Sequence, residues 1–213
     1  MKRRPSLADR LIPHLDRALR TLTASPIHHR PDPGAEVEDP QPMTEAEKRH
    51  VIGLMRVNYA GEVAAQGLYQ GQSLTANHPE LVDKLHHAMN EEEDHLAWCA
   101  DRVHELGGRV SLLNPIWYAG SVALGAAAGI AGDRWNLGFL AETEKQVVDH
   151  LQGHLETMPD QAMRAKAVVQ QMQVDEGHHR DMALHHGGAE LPEPIPSLMK
   201  LSSKLLTKGS YWI

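Results

Sequence analysis

The sequence predicts an all-α protein: a four-helix bundle with an apolar crossover helix between its two halves and short amphipathic helices at its ends. Residues that favour helices, such as Ala, Leu, Met, Glu and Gln, are plentiful, and aromatic residues make up only 4% of the chain. A glutamate followed about thirty residues later by Glu-x-x-His also occurs twice, once in each half. At 213 residues the chain is of the size that forms one core.

The repeated pattern supplies six candidate metal ligands. They are Glu62, Glu92 and His95 in the first copy, and Glu144, Glu176 and His179 in the second. Residues three apart in a helix lie on one face, so each Glu-x-x-His pair presents both side chains in the same direction. Ferritin-like di-iron and di-manganese bundles take one Glu from each of two helices and a Glu-x-x-His pair from each of the other two. The repeat therefore predicts a ferritin-like bundle with a dinuclear site.

Electrostatics gives a reason for this residue set. Four inward-facing glutamates would be costly in an empty core, and two divalent cations would cancel their charges. Mixed carboxylate and imidazole ligands suit iron or manganese, and open positions on such ions suit dioxygen. The neighbouring acids Glu91, Glu93 and Asp94 are expected to form an exposed face. His150 is a candidate hydrogen-bonding partner of a ligand, or else a packed core histidine. Tyr59 shares the face of Glu62 and is a weaker redox candidate.

Composition excludes several functions. Lys and Arg number 21 against 28 Asp and Glu, a net charge of −7, which argues against nucleic acid as a partner. One cysteine, Cys99, excludes a disulfide framework and a four-cysteine iron centre. No apolar run of signal-peptide length follows the basic residues 1–4, so secretion is not expected.

Two regions are expected: residues 1–42, an amphipathic segment and a proline-rich linker, and residues 43–213, the metal-binding bundle. Leucines recur at helical spacing through residues 5–24, which predicts a helix that packs on the bundle or serves as an arm for a membrane surface or partner. Residues 26–42 hold five prolines and almost no large apolar residue, so this linker is expected not to order itself.

The four long helices are predicted from caps and breakers. Thr44 and Glu47 form a capping box that opens the first, which ends near residue 76. The second is expected over 79–106, the third over 135–157 and the fourth over 160–186.

Two further segments have an apolar or basic amphipathic character. Residues 110–132 carry no charge, and we interpret them as a crossover that dips into one membrane leaflet, the alternative being a crossover packed on the bundle. Residues 197–207 predict a short basic helix followed by an aromatic tail, which suits a membrane surface or a packed helix with solvated lysines.

Over most of residues 50–213 the sequence resembles the demethoxyubiquinone hydroxylase family, the di-iron monooxygenases of ubiquinone biosynthesis. The resemblance is carried by RVNYAGE at 56–62, EEDHL at 92–96, NPIWYAGSVALGA at 114–126, EKQVVDH at 144–150 and DEGHHRD at 175–181.

The resemblance implies that the six residues above ligate two Fe ions. It also implies hydroxylation of the quinone ring of a polyprenylated precursor, the 3-demethoxyubiquinol 3-hydroxylase reaction, with O2 and electrons that originate from NADH. Such a substrate implies a peripheral membrane protein, on the cytoplasmic side of a bacterial cell membrane or the matrix side of an inner membrane. Association with other ubiquinone-biosynthesis proteins, or into a homo-oligomer, is a further expectation.

Three other functions fit the same bundle. A ferroxidase or iron-storage protein would form a soluble shell, a manganese catalase would disproportionate peroxide, and a metal-free lipid carrier would tolerate Glu92→Ala.

Overall fold

The computed structural model describes the backbone of residues 7–213 and the side chains from residue 12 onward. Within this described part of the chain there are seven helices and no strand. They are α1 (Leu7–Thr23), α2 (Glu45–Thr75), α3 (Pro79–Glu105), α4 (Asn114–Ile130), α5 (Asp133–Thr157), α6 (Met163–His185) and α7 (Ile195–Trp212). The all-α prediction is confirmed.

Helices α2, α3, α5 and α6 form the bundle. The short loops between α2 and α3 and between α5 and α6 make each pair an antiparallel hairpin, and within each pair the two helices pack together. Gln72 of α2 joins the halves by donating to the carbonyl of Asn136 in α5. Asp133, at the start of α5, accepts hydrogen bonds from the backbone amides of Asn77 and His78. The predicted four-helix arrangement is confirmed.

The predicted capping box starts α2. Thr44 accepts a hydrogen bond from the amide of Glu47, and the Glu47 carboxylate accepts one from the amide of Thr44. These two bonds satisfy amides that the first helical turn leaves without partners. Pro79 then lies in the first turn of α3, where its missing N–H costs nothing.

Helix α4 crosses between the two hairpins and packs closely against α2. A Cβ on Gly71 of α2 would meet the carbonyl of Val122, and one on Gly125 of α4 would meet the carbonyl of Leu68. The contact of this face of α4 matches the alternative of a crossover packed on the bundle, and insertion into a membrane leaflet stays a prediction. Its other face leaves Ile116 and Ile130 62% and 76% exposed. No helix in the described residues is both long and apolar enough to cross a bilayer.

The last helix is longer than the predicted residues 197–207. Helix α7 runs from Ile195 to Trp212 because its end is anchored. Ser210 is fully buried and accepts a hydrogen bond from the Trp117 indole, and the Tyr211 ring lies over Gly53 and bonds His50. The predicted aromatic tail is thus part of the helix, and Tyr211 packs on the bundle.

The prediction that the proline-rich linker does not order itself is wrong for residues 28–39, which we call the strap. The strap lies against α3 and α6 and is held by polar contacts rather than by apolar burial. Asp94 accepts hydrogen bonds from the amides of His29 and Arg30, and Arg164 donates to the carbonyl of Gly34. Low apolar content therefore does not prevent a segment from being held in place by polar contacts.

Helix α1 confirms the predicted amphipathic helix over the described residues. Ala18 and Leu22 pack against the core, whereas Leu15 and Leu19 are 63% and 62% exposed. The side chains of Leu7 and Leu11, also part of the predicted pattern, lie outside the described residues.

Candidate metal centre

The structure brings all six predicted ligands into the middle of the bundle. Glu62 comes from α2, Glu92 and His95 from α3, Glu144 from α5, and Glu176 and His179 from α6. None of the six is more than 5% exposed. One ligand atom from each of Glu62, Glu92, His95 and Glu176 lies within 4.8 Å of the others. The helical spacing read from the sequence therefore corresponds to a shared interior position.

The His95 imidazole points its Nδ1 atom at three carboxylates. Nδ1 lies 2.8 Å from Oε2 of Glu92, 3.3 Å from Oε1 of Glu176 and 3.8 Å from Oε2 of Glu62. The opposite nitrogen, Nε2, is 2.9 Å from Oδ2 of Asp175. A proton held on Nε2 by Asp175 leaves the Nδ1 lone pair free to ligate a metal.

His179 repeats this arrangement in the other half. Its Nδ1 lies 3.1 Å from Oε2 of Glu176 and 3.3 Å from Oε1 of Glu92, while its Nε2 is 2.9 Å from Oε2 of Glu91. Each histidine thus has a carboxylate behind it and two shared glutamates in front of it.

Glu92 and Glu176 lie between the two imidazoles. Glu92 turns Oε2 to His95 and Oε1 to His179, and Glu176 turns Oε1 to His95 and Oε2 to His179. A carboxylate whose two oxygens face two different ligands is placed to bridge two cations. This geometry is what a dinuclear centre requires.

Glu144 lies beside Tyr69, a residue that the repeated pattern of candidate ligands does not include. The Tyr69 hydroxyl donates to Oε1 of Glu144 at 2.5 Å and lies 3.3 Å from Oε1 of Glu92. Burial, followed by repulsion from the Glu144 carboxylate, raises the pKa of Tyr69 well above its usual value, so the phenol stays protonated as a donor.

The cluster carries excess negative charge when no cation is present. Burial, together with repulsion from neighbouring carboxylates, raises the pKa values of Glu62 and Glu144 well above their usual range. Burial would also lower the pKa of His95, but the adjacent Glu92 and the other carboxylates raise it instead. Protons therefore replace the missing positive charge. The donor set of carboxylates and imidazoles fits a metal site for iron or manganese.

The expectation of an exposed acidic face beside Glu92 is wrong in part. Asp94 is only 1% exposed and pairs with Arg30 of the strap. Glu91 is partly buried and bonds His179. Both side chains occupy the inner edges of α3, a position that a run of acids in sequence does not reveal.

His150 lies away from the ligands' hydrogen bonds. The centroids of the His150 and His154 rings are 4.0 Å apart, and the His150 Nε2 has no hydrogen-bond partner among the described residues. Burial lowers the pKa of His150, and burial with repulsion from His150 and His50 lowers the pKa of His154 to about 3. The observed contact matches the alternative of a packed histidine. Tyr59 is likewise buried in the core.

The two halves of the centre differ in their access to solvent. A cleft of about 570 Å³ between α3 and α6 reaches His179 and is lined by charged side chains such as Glu80, Asp83 and Glu91. The strap covers the His95 half instead, with Arg30 stacked on Trp98.

The fold and the buried glutamate–histidine group define a ferritin-like helical protein with a candidate metal site. Among solved structures, the chain resembles a dodecameric thioferritin, a bacterioferritin-related protein from Bacteroides fragilis. The TM-score is 0.55 at 14% identity, covering 75% of this chain and 92% of that one. This likeness supports the fold alone.

The sequence relatives are more specific. The model of the family described as ubiquinone biosynthesis protein COQ7 matches residues 49–210. Proteins named 3-demethoxyubiquinol 3-hydroxylase are 50% identical in Polynucleobacter asymbioticus, over 98% of this chain and 100% of the relative, and 51% identical in Nitrosomonas europaea, over 96% and 98%. The relative in Chromobacterium violaceum is 52% identical, over 96% of this chain and 99% of its own. The chain belongs to the COQ7 family, and the predicted family is confirmed.

Proposed function

We propose that the protein is a di-iron monooxygenase, a 3-demethoxyubiquinol 3-hydroxylase, that hydroxylates the quinone ring of a polyprenylated ubiquinone precursor. The placement of Glu92 and Glu176 between two imidazoles is the observation that supports it most directly. The name shared by relatives about 50% identical over nearly the whole chain supports the same reaction. It favours this function over a ferroxidase, a manganese catalase or a lipid carrier.

The residues divide into two sets around two metal positions. His95 and Glu62 would hold one iron, His179 and Glu144 the other, and Glu92 and Glu176 would bridge them. Bound iron supplies the activation of dioxygen, with electrons that originate from NADH. Asp175 and Glu91 hold the protons on Nε2 of the two imidazoles, and Tyr69 donates to Glu144. The apolar core packs around the buried ligands and restricts the access of water to the cleft that reaches His179.

Quinone profiling in cells that lack the gene tests this proposal. Wild type should restore ubiquinone and remove the accumulated demethoxy precursor, while Glu176→Ala should not. Glu190→Ala, which removes an exposed carboxylate, serves as the matched control and should behave as wild type. Normal ubiquinone without the gene, in cells with no other hydroxylase for this step, would refute the assignment.

A polyprenylated substrate also requires contact with a lipid surface. Helices α1, α4 and α7 lie next to each other around α2. The Gln70 side chain of α2 makes hydrogen bonds to α1 and to α4, and Trp117 of α4 makes a hydrogen bond to α7. Each of the three exposes large apolar side chains. They are Ile12, Leu15 and Leu19 of α1, Ile116, Leu124 and Ile130 of α4, and Leu198, Leu201, Leu205 and Trp212 of α7. Exposed apolar groups beside Lys200, Lys204 and Lys208 suit an anionic membrane surface.

These exposed groups support peripheral binding to a membrane, on the cytoplasmic side in a bacterium, and vesicle flotation measures that binding. Replacing Leu198, Leu201 and Leu205 by serine should reduce recovery with vesicles that contain anionic phospholipid. Leu184→Ser changes a leucine of α6 that is 50% exposed and should have no effect. Equal flotation of both variants would contradict the assignment of α7. Association with itself or with other ubiquinone-biosynthesis proteins is compatible with the same surface.

A further inference from the structure

The strap joins the two helices that carry the Glu-x-x-His pairs. On α3, His28 bonds Asp101 and the following two residues bond Asp94. On α6, Asp39 accepts a hydrogen bond from the amide of Arg164, in the first turn of the helix. The Ala162 cap of α6 has no side-chain bond of its own, so Asp39 supplies the acceptor that this helix start lacks. The strap is thus attached at both ends and lies outside the family-matched residues 49–210.

Arg30 makes the central contact of the strap. Its Nε atom donates to Oδ2 of Asp94 at 2.8 Å, and its terminal nitrogen donates to Oδ2 of Asp175 at 2.9 Å. The guanidinium carbon lies 4.9 Å from the centre of the Trp98 ring, and that ring is 5.4 Å from the imidazole of His95. The two aspartates are 1% and 7% exposed, so each requires a cationic partner. A planar guanidinium can satisfy both at once, which a lysine ammonium cannot do with the same geometry.

Asp175 links this contact to the metal centre. The oxygen that accepts from Arg30 also lies 2.9 Å from Nε2 of His95, and the other oxygen accepts from Gln171. The position of the Asp175 carboxylate therefore determines the orientation of the His95 ring, and with it the direction of Nδ1.

Among the described residues, no arginine anchors the carboxylate behind His179. Glu91, which bonds Nε2 of His179, is 33% exposed at the cleft, and its second partner is His87 rather than an arginine. The two halves of the centre are built from equivalent ligands but different supports.

We propose that Arg30 is a positioning residue: by bridging Asp94 of α3 and Asp175 of α6, it fixes the carboxylate that orients His95, so that the strap completes one half of the metal centre. This inference rests on the proposed dinuclear site. The strap precedes the family-matched residues 49–210. The inference gives it a role in metal binding at the His95 position and no role at the His179 position.

Cobalt(II) titration of the full-length, metal-free protein tests it, with the ligand-field absorption of the bound cobalt as the readout. Wild type should bind two ions per chain. Arg30→Gln should bind one ion as wild type does and the other about 10- to 100-fold more weakly, with an altered absorption band. Arg30→Lys should give an intermediate affinity. His28→Ala removes a neighbouring strap contact without touching Asp175 and should leave both sites unchanged.

The outcomes separate the positioning role of Arg30 from the proposed dinuclear site. If Arg30→Gln only lowers the melting temperature, with both affinities and the spectrum unchanged, Arg30 is a structural ion pair and the positioning role is refuted. If wild type itself binds fewer than two ions, the proposed dinuclear site fails, whatever the variants do. Asp175→Asn provides a second route should Arg30→Gln fold poorly, and it should weaken the same single site. Weakening of both sites, or of neither, by Asp175→Asn would overturn the inference.

Discussion

The hydroxyl of Tyr69 lies 2.5 Å from Oε1 of Glu144, and both side chains are buried within the bundle. Tyr69 belongs to α2 and Glu144 to α5, so this hydrogen bond joins the two hairpins inside the candidate metal centre. A donor at this distance restricts the carboxylate to one orientation.

We expect Tyr69→Phe to weaken metal binding on the His179 side by about tenfold, because the Glu144 carboxylate loses the donor that orients it. Cobalt(II) titration of the metal-free protein measures this. Tyr59→Phe removes the hydroxyl of another buried tyrosine of α2 and should leave both affinities unchanged. Identical titrations for the two variants would show that the hydrogen bond to Glu144 does not position a ligand.

Glu144→Gln should stabilise the metal-free protein and weaken its metal binding. Burial and neighbouring carboxylates raise the pKa of Glu144, so the folded state disfavours its ionised form, whereas the unfolded state ionises it at neutral pH. A neutral amide of the same shape removes that cost. Each kcal/mol gained raises the melting temperature by about 2–4 °C at this chain length.

Thermal unfolding with a chelator, and then with added manganese(II), measures both effects. Glu142→Gln, a change on the same helix outside the cluster, is the matched control and should alter neither. A lower melting temperature for metal-free Glu144→Gln would contradict the electrostatic description of the centre.

His154 should make stability fall in mildly acidic solution. Its pKa is lowered from 6.5 to about 3 in the folded protein by burial and by repulsion from His150 and His50. Between these two pH values the unfolded chain binds a proton that the folded chain does not. The free energy of unfolding therefore decreases by up to about 1.4 kcal/mol per pH unit below about pH 6.5 from this group alone.

Urea unfolding of wild type and His154→Leu at about pH 7.5 and about pH 5.5 isolates this contribution. The loss of stability on acidification should be smaller in His154→Leu. His185→Leu, at an exposed position of α6, should keep the wild-type dependence. Equal pH dependence in wild type and His154→Leu would show that His154 is not held neutral.

Gly125→Ala should destabilise the protein or displace α4, because the new Cβ would meet the backbone of Leu68 in α2. Gly120→Ala is the matched change in the same helix. No atom of the described residues lies within 4 Å of a Cβ placed there, and alanine favours helix over glycine by about 1 kcal/mol. Melting temperatures should therefore move in opposite directions, and a neutral Gly125→Ala would mean that α2 and α4 do not approach each other as closely as the Gly125–Leu68 contact requires.

The shared interior position of the six candidate ligands could be predicted from the sequence, because helical spacing sets the direction of each Glu-x-x-His pair. Glu92 and His95 face the same way because residues three apart lie on one face of a helix, and the same holds for Glu176 and His179. The second copy of the pattern then indicates that both pairs share one interior. The four bundle helices followed from caps and breakers such as Thr44 and Pro79 for the same reason.

The contacts that support the candidate ligands were not predictable in this way. Arg30 and Asp175 are 145 positions apart, and no periodicity relates a proline-rich segment to α6. The burial of Asp94 depends on that same arginine. The close approach of Gly71 and Gly125 to facing backbones depends on how α4 lies on α2. The sequence shows only that α4 is rich in small residues, not where they meet α2.

A single turnover of the protein carrying two ferrous ions per chain, with demethoxyubiquinol in lipid nanodiscs and isotopically heavy dioxygen, tests oxygen insertion at this centre; the two ferrous ions supply the two electrons. Mass spectrometry should find one heavy oxygen atom in the new ring hydroxyl, and Glu176→Gln should give no product. Unlabelled product, or turnover undiminished in Glu176→Gln, would contradict oxygen insertion at this centre.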